Sequence, residues 1–124
     1  MKALIIEGTF MTPEVVLDPI KKEFALRGNS RPENPVAFFQ PIFTWINDFF
    51  STFKEEATFH ICLEYFNTST SKVLLDIFEY FELANEKGAN VNIIWYYPAD
   101  DEDMKDAGEE LFDLVPVAGE LKAI

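Results

Sequence analysis

Residues 65–72, Tyr-Phe-Asn-Thr-Ser-Thr-Ser-Lys, lie where two apolar patterns of different period meet. Before this junction, residues 57–66 alternate between apolar and polar side chains, which predicts a strand with one buried face. The residues on that face are Phe59, Ile61, Leu63 and Tyr65. After the junction, residues 71–87 carry apolar side chains at helical spacing, and Gly88 ends the predicted helix. A strand followed directly by an amphipathic helix is typical of an α/β fold.

The C-terminal part of the chain repeats this order. Residues 91–97 predict a second long strand, which Pro98 ends. Its inward residues are Val91, Ile93, Trp95 and Tyr97. A last helix is expected from about Asp101 to Leu114. It begins with acidic residues, which the positive end of a helix dipole favours.

The N-terminal part predicts a β-hairpin. Apolar residues alternate with polar ones on both sides of a turn that begins at Asp18-Pro19, and the pattern stops at Gly28. The alternating residues are Val15 and Leu17 in the first strand and Phe24 and Leu26 in the second.

The hairpin is followed by a predicted helix from Pro35 to about Phe53. Asn34 is a good N-cap, and proline suits the first helical position. Pro41 lies inside this helix, so we expect a kink or a restart there. Apolar side chains cover more than one face of the helix. Either the helix packs on two sides, or part of its aromatic surface contacts another protein.

Together these elements predict a single α/β domain over residues 1–124, with the order β-β-α-β-α-β-α. Helical crossovers make the later strands parallel neighbours, whereas the hairpin adds an antiparallel pair. The expected architecture is a mixed sheet with an N-terminal hairpin, parallel strands and packed helices. A chain of 124 residues is long enough to bury one core.

Composition argues against several classes of protein. A net charge of −12 does not suit binding to nucleic acid or to anionic membranes, which require basic surfaces. Cys62 is the single cysteine, so no internal disulfide forms, which suits a reducing cytoplasm. Polar residues interrupt the most apolar stretch, residues 36–50, so it cannot span a bilayer. We therefore expect a soluble cytoplasmic protein that binds neither nucleic acid nor membranes.

The acidic run at residues 100–103, Asp-Asp-Glu-Asp, does not have the pattern of a metal site. A calcium-binding loop that starts at Asp101 would need an oxygen ligand at Lys105 and a glycine at Asp106. A solvated helix start explains the run.

The remaining polar residues of the predicted strand over 57–66 also lack a catalytic pattern. His60 and Cys62 stand two residues apart on one face, which is too few ligands for zinc and a poor geometry for a catalytic pair. Glu64 could act as a general base, but no nucleophile or oxyanion hole is recognisable beside it. The glycines are scattered and form no phosphate-binding loop. We expect no catalytic residue, no metal and no cofactor.

Four consecutive hydroxyl residues, Thr68 to Ser71, are the remaining candidate site. Capping of the helix by Ser69, Thr70 or Ser71 would use one hydroxyl or two. No Glu or Gln follows at the spacing of a capping box. The run therefore serves capping alone, or it leaves a hydroxyl for phosphorylation, whose phosphate the helix N-terminus would hold.

Several motifs in order along the chain match one known family. They are Thr12-Pro13, residues 28–34 (Gly-Asn-Ser-Arg-Pro-Glu-Asn), residues 64–69 (Glu-Tyr-Phe-Asn-Thr-Ser), Lys72, residues 95–97 (Trp-Tyr-Tyr), residues 100–104 (Asp-Asp-Glu-Asp-Met) and residues 108–110 (Gly-Glu-Glu). By these motifs the chain resembles the SiaC family of bacterial regulatory phosphoproteins. Arg31 stands where many relatives carry tyrosine.

This resemblance implies a STAS-like fold, as in anti-sigma-factor antagonists, and a signalling role without catalysis. It places the phosphorylated threonine at Thr68, after an asparagine. The residues of the phosphorylated loop and partner surface would be Asn67, Ser69, Thr70, Ser71 and Lys72. A protein kinase would phosphorylate Thr68, and a PP2C-type phosphatase would reverse the reaction. The unphosphorylated form would bind and regulate a diguanylate cyclase, and so control cyclic di-GMP and biofilm formation.

Two other functions remain open at this point. The fold resemblance also fits an anti-sigma-factor antagonist in a partner-switching system. A small metal-dependent hydrolase would instead use Glu64 and the acidic residues 100–103.

Overall fold

The computed structural model describes residues 1–124 and contains a six-stranded mixed sheet with three helices. The strands are β1 (Leu4–Ile6), β2 (Glu14–Asp18), β3 (Glu23–Ser30), β4 (Glu56–Phe66), β5 (Asn90–Tyr97) and β6 (Gly119–Ala123). The helices are α1 (Pro35–Phe50), α2 (Thr68–Glu86) and α3 (Glu102–Leu114). The predicted class, a single α/β domain with a mixed sheet, is confirmed.

Strands lie in the sheet in the order in which they occur in the sequence. The first three pair antiparallel, and β3 to β6 pair parallel. Each parallel connection carries one helix, and α1 contacts α2, which contacts α3. The helices therefore form one layer, as expected for right-handed crossovers between successive neighbours. The carboxyl ends of β3, β4 and β5 lead into the three helix N-termini along one edge of the sheet.

The predicted order lacked the two edge strands, β1 and β6. Both are short, and neither has a clear alternating pattern. They exist through pairing with a stronger neighbour: Ile5 lies opposite Val16, and Leu121 lies opposite Trp95. Because sheet pairing is a long-range interaction, local sequence did not reveal them.

Aromatic side chains fill the core between the sheet and the helices. Phe24, Phe50, Phe59 and Phe81 are each at most 2% exposed and pack through tilted or edge-to-face contacts. Such pairs add to the hydrophobic gain from burial. The helix α3 approaches the sheet closely at Gly108, where a Cβ atom would collide with the Trp95 ring.

Helix α1 begins as predicted, with the Asn34 side chain accepting a hydrogen bond from the Ala37 N–H at 3.1 Å. It runs unbroken through Pro41, so of the two expected alternatives, a kink or a restart, the restart does not occur. Proline at this position removes the hydrogen bond to the Ala37 carbonyl, which lies on an exposed residue of the first turn. The helix ends at Phe50 rather than near Phe53.

Strand β4 contains a β-bulge next to its carboxyl end. Gly28 of β3 lies opposite Leu63, but Asn29 lies opposite Tyr65, so Glu64 is an extra residue. Gly28 has a φ of 104°, which favours glycine. The bulge reverses the alternation, and Tyr65, expected inside, is 50% exposed. Phe66 contacts Trp95 instead, with the ring centroids 6.0 Å apart.

Candidate functional site

The hydroxyl run begins helix α2 directly after β4. The strand ends at Phe66, Asn67 is the N-cap, and Thr68 is the first helical residue. The helix therefore starts three residues before the predicted Ser71. Only one residue separates the strand from the helix, so the run forms the first helical turn and not a loop.

Asn67 caps the helix, and the expectation that a hydroxyl does so is wrong. Its side-chain oxygen accepts hydrogen bonds from the Thr70 backbone N–H at 3.0 Å and from Ser69 Oγ at 2.9 Å. Its own N–H donates to the Ser30 carbonyl at 3.1 Å. The asparagine amide reaches the third helical position without strain, which leaves the hydroxyls free for other contacts.

Thr70 anchors the helix start to the end of β3. Its Oγ1 lies 2.8 Å from Ser30 Oγ and donates to the Ser30 carbonyl at 3.2 Å. Ser30 and Thr70 are both 0% exposed. A buried hydroxyl pair that satisfies itself in this way fixes geometry, because an unpaired polar group there would be costly. Thr70 thus fixes the position of the α2 N-terminus through buried contacts and is not itself accessible.

Thr68 has the one hydroxyl of the run that is both exposed and without a hydrogen bond. Ser69 donates to Asn67, Thr70 is buried, and Ser71, whose hydroxyl is also unbonded, is half-buried. At the first two helical positions the backbone N–H groups have no partner within the helix. The first turn of α2 contains no acidic residue. Together these features leave positive electrostatic potential beside an accessible hydroxyl.

A groove between α1 and α2 opens beside Thr68. It has a volume of about 650 Å³, and Thr68, Ser69 and Lys72 lie on its α2 side. Its apolar wall consists of Val36, Phe39, Phe43 and Val73. Val36 is 73% exposed, although it lies in the first turn of α1. Helix α1 therefore packs on the core and also exposes apolar surface at this groove.

Lys72 places a free cation in this groove, one helical turn after Thr68. Its side chain is exposed and forms no ion pair. Residues four apart on a helix face each other, and an anion N-terminal to a lysine is the favourable orientation. Ser30 and the apolar wall of the groove were not among the predicted site residues. Ser30 lies within the 28–34 motif, which was the one signal available for it.

The acidic run at 100–103 serves the start of α3. Asp101 is the N-cap, and its Oδ1 accepts a hydrogen bond from the Met104 N–H at 3.0 Å. No group of three or more His, Cys, Asp or Glu side chains is placed to hold a metal ion. Glu64 is the exposed extra residue of the bulge.

His60 and Cys62 lie on the sheet face opposite the helices. His60 Nδ1 is 2.8 Å from the Tyr96 hydroxyl, and burial is the main cause that lowers the pKa of the imidazole. Burial likewise raises the pKa of the Cys62 thiol, which favours the unreactive protonated form. Both behave as sheet residues.

Residues 6–121 match the family described as SiaC family regulatory phosphoprotein. The chain belongs to the SiaC family. An uncharacterized protein of Pseudomonas aeruginosa strain UCBPP-PA14 is 30% identical over 110 residues, which cover 89% of this chain and 87% of the relative.

Solved structures of SiaC superpose on the chain over nearly its whole length. Apo-SiaC from Pseudomonas aeruginosa has 28% sequence identity and a TM-score of 0.90, and the match covers 99% of this chain and all of that one. SiaC in a structure described as diguanylate cyclase SiaD in complex with its activator SiaC has 27% identity and a TM-score of 0.92. That match covers 98% of this chain and 99% of that one. No helix of the present SiaC-family chain is both long and apolar enough to cross a membrane.

Proposed function

We propose that this SiaC-family chain is a non-enzymatic switch, controlled by reversible phosphorylation of Thr68. In the unphosphorylated form it binds and regulates a partner protein through the groove between α1 and α2. A protein kinase adds the phosphate and a PP2C-type phosphatase removes it. Because the kinase consumes ATP, we place the switch in the cytoplasm.

The observation that carries this proposal is the setting of the Thr68 hydroxyl. It is the exposed and unbonded member of the hydroxyl run, and it lies at the first position of a helix whose first turn has no acid. A kinase can reach such a hydroxyl without unfolding the domain. Asn67, Ser69, Thr70 and Ser71 hold the turn that presents it, and Lys72 lies on the same side of the groove.

A phosphate at this position would be held by the switch protein itself. It would face the free backbone N–H groups at the start of α2, and Lys72 would be its nearest cation along the helix. The phosphate adds about −1.5 to −2 charges at the edge of an apolar groove. A partner in that groove would have to bury the dianion or dissociate, since buried charges are costly.

The partner we propose is a diguanylate cyclase. The SiaC of Pseudomonas aeruginosa that superposes on this chain with a TM-score of 0.92 is described as the activator of the cyclase SiaD and as its partner in a complex. The apolar wall of the groove, with Val36 73% exposed, supplies the unpartnered surface that such an interface needs.

The first test measures phosphorylation of the purified chain by its cognate kinase with ATP. Intact mass should increase by one phosphate, and Thr68→Ala should abolish the increase. Ser71→Ala is the matched control, because it removes a half-buried hydroxyl from the same turn. If Thr68→Ala accepts phosphate as well as the wild type does, Thr68 is not the acceptor.

The second test identifies the partner by affinity capture with unphosphorylated and phosphorylated chain. A diguanylate cyclase recovered only with the unphosphorylated chain supports the proposal. An anti-sigma factor recovered in its place would instead support the role of an anti-sigma-factor antagonist.

A further inference from the structure

Only two arginines occur in this acidic chain, and their environments differ sharply. Arg27 lies on the open face of the sheet and pairs with Glu14 at 3.1 Å and with Glu23 at 3.9 Å. Arg31 forms no ion pair and no side-chain hydrogen bond, although Glu33 lies only two residues away in the sequence. Something other than charge pairing therefore sets the position of Arg31.

Two exposed aromatic rings hold the Arg31 side chain. Its guanidinium carbon is 4.1 Å from the centroid of the Phe10 ring and 5.7 Å from that of Tyr65. Phe10 is 73% exposed, and Tyr65 is turned outward by the bulge and is 50% exposed. Arg31 Nε is buried without a hydrogen-bond partner, whereas the two terminal nitrogens are not buried. The rings orient a cation whose outer donors are unused.

This Phe10–Arg31–Tyr65 cluster lies at the same sheet edge as Thr68. Arg31 directly follows Ser30, whose carbonyl accepts the hydrogen bond from the N-cap residue Asn67. Tyr65 precedes that cap by two residues. A partner seated over the start of α2 is therefore in reach of the cluster.

We propose that the Phe10–Arg31–Tyr65 cluster binds a carboxylate side chain of the partner protein that occupies the α1–α2 groove. The proposal rests on the function proposed above and adds the chemistry of the partner: an acidic residue on a segment with apolar neighbours. Charge complementarity at this one point argues for the acid, because Arg31 is a cation without an ion pair and its terminal nitrogens are not buried. A guanidinium offers a carboxylate two parallel hydrogen bonds, and aromatic neighbours shield those bonds from water. Arginine with tyrosine is also a frequent combination at binding hot spots.

The test compares the affinity of the full-length cyclase from the same cell for wild-type chain and for Arg31→Ala. We expect affinity to fall about tenfold or more, the loss typical when one partner of a shielded charge pair is removed. Arg31→Lys should restore only part of it, since lysine keeps the charge but not the planar fork. Phe10→Ala tests the same cluster through a ring that is mostly exposed, so the fold should not depend on it.

Lys21→Ala is the matched control. It removes the same charge from an exposed residue of the β2–β3 turn, at the opposite edge of the sheet, and affinity should change by less than about twofold. If Arg31→Ala and Phe10→Ala bind like Lys21→Ala, the carboxylate site is wrong and the proposed switch is unaffected. If the wild-type chain does not bind the cyclase, the proposed partner is wrong, and so is the carboxylate site that depends on it.

Discussion

The N-termini of α2 and α3 are built alike and charged differently. Each follows a parallel strand, and each has an Asx cap whose side-chain oxygen accepts the N–H of the third helical residue at 3.0 Å. The first turn of α3 then contains Glu102 and Asp103, whereas that of α2 begins with Thr68 and contains no acid.

This difference indicates where the molecule can accept a new charge. At α3 the sequence already supplies the anions that a helix dipole favours. At α2 the same position holds an exposed hydroxyl, Thr68, which we propose as the group that a kinase phosphorylates and a phosphatase restores. The following predictions test whether this contrast has functional consequences.

The largest expected effect is that of a phosphate on Thr68. A penalty of about 2.8 kcal/mol for burying part of the dianion weakens partner binding roughly a hundredfold. Calorimetric titration of the cyclase with phosphorylated and unphosphorylated chain measures the difference. Glu102→Gln, a charge change at the corresponding position of α3, should leave the affinity within about twofold. Equal losses for both would show that α2 is not special.

The next largest effect concerns Thr70, the third residue of α2, which fixes the start of that helix. Thr70→Val should lower the free energy of unfolding by about 1–3 kcal/mol, because the buried Ser30 hydroxyl loses its partner. Thr70→Ser retains the hydroxyl and should cost less. Urea unfolding of both variants measures this, and a larger loss for Thr70→Ser than for Thr70→Val would mean that methyl packing, rather than the hydrogen bond, fixes the helix start.

Removing the caps should have a smaller effect. Asn67→Ala and Asp101→Ala should each destabilise the fold by about 1 kcal/mol. The loss at Asn67 should be the larger of the two, because its oxygen also accepts from Ser69 Oγ. Thermal unfolding monitored by circular dichroism gives the ranking, and a larger loss for Asp101→Ala would reverse it.

The smallest effect is that of exchanging the charges themselves. Thr68→Glu gives α2 the acid that α3 has, and should stabilise the fold by about 0.3–1 kcal/mol, while Glu102→Gln should cost a similar amount. Both differences should shrink in 1 M salt, where screening acts within about 3 Å. Changes that do not depend on salt would show that the dipole is not their cause.

Much of the fold could be predicted because its signals are local. The Asn34 cap, the alternation in β4 and β5 and the helical period of α2 each lie within one short segment. The edge strands β1 and β6 were missed because their stability comes from pairing with β2 and β5. The start of α2 was placed late, since a run of hydroxyls has low helix propensity that tertiary contacts override.

Within the candidate site, the sequence supplied the hydroxyl run, and the motifs supplied the assignment of Thr68. Neither the hydroxyl run nor the motifs showed which of the four hydroxyls is exposed and which is hydrogen-bonded. The Thr70 hydroxyl forms a hydrogen bond with Ser30, which lies forty residues earlier in the chain, and the Ser69 hydroxyl donates to the side-chain oxygen of Asn67. The exposure of Val36 in the groove wall could not be predicted from the sequence either, because exposure of an apolar helix residue depends on what packs beside it.

Local chemistry thus determined the inner strands, the three helices, the core and the presence of a surplus of hydroxyls in an acidic chain. Only the tertiary structure decided which hydroxyl is free, and that Tyr65 turns outward beside Arg31. The physical reason is that period and propensity act between neighbours in sequence. Accessibility and hydrogen bonding at the site depend on β3, which lies far away in the chain and adjacent in the sheet.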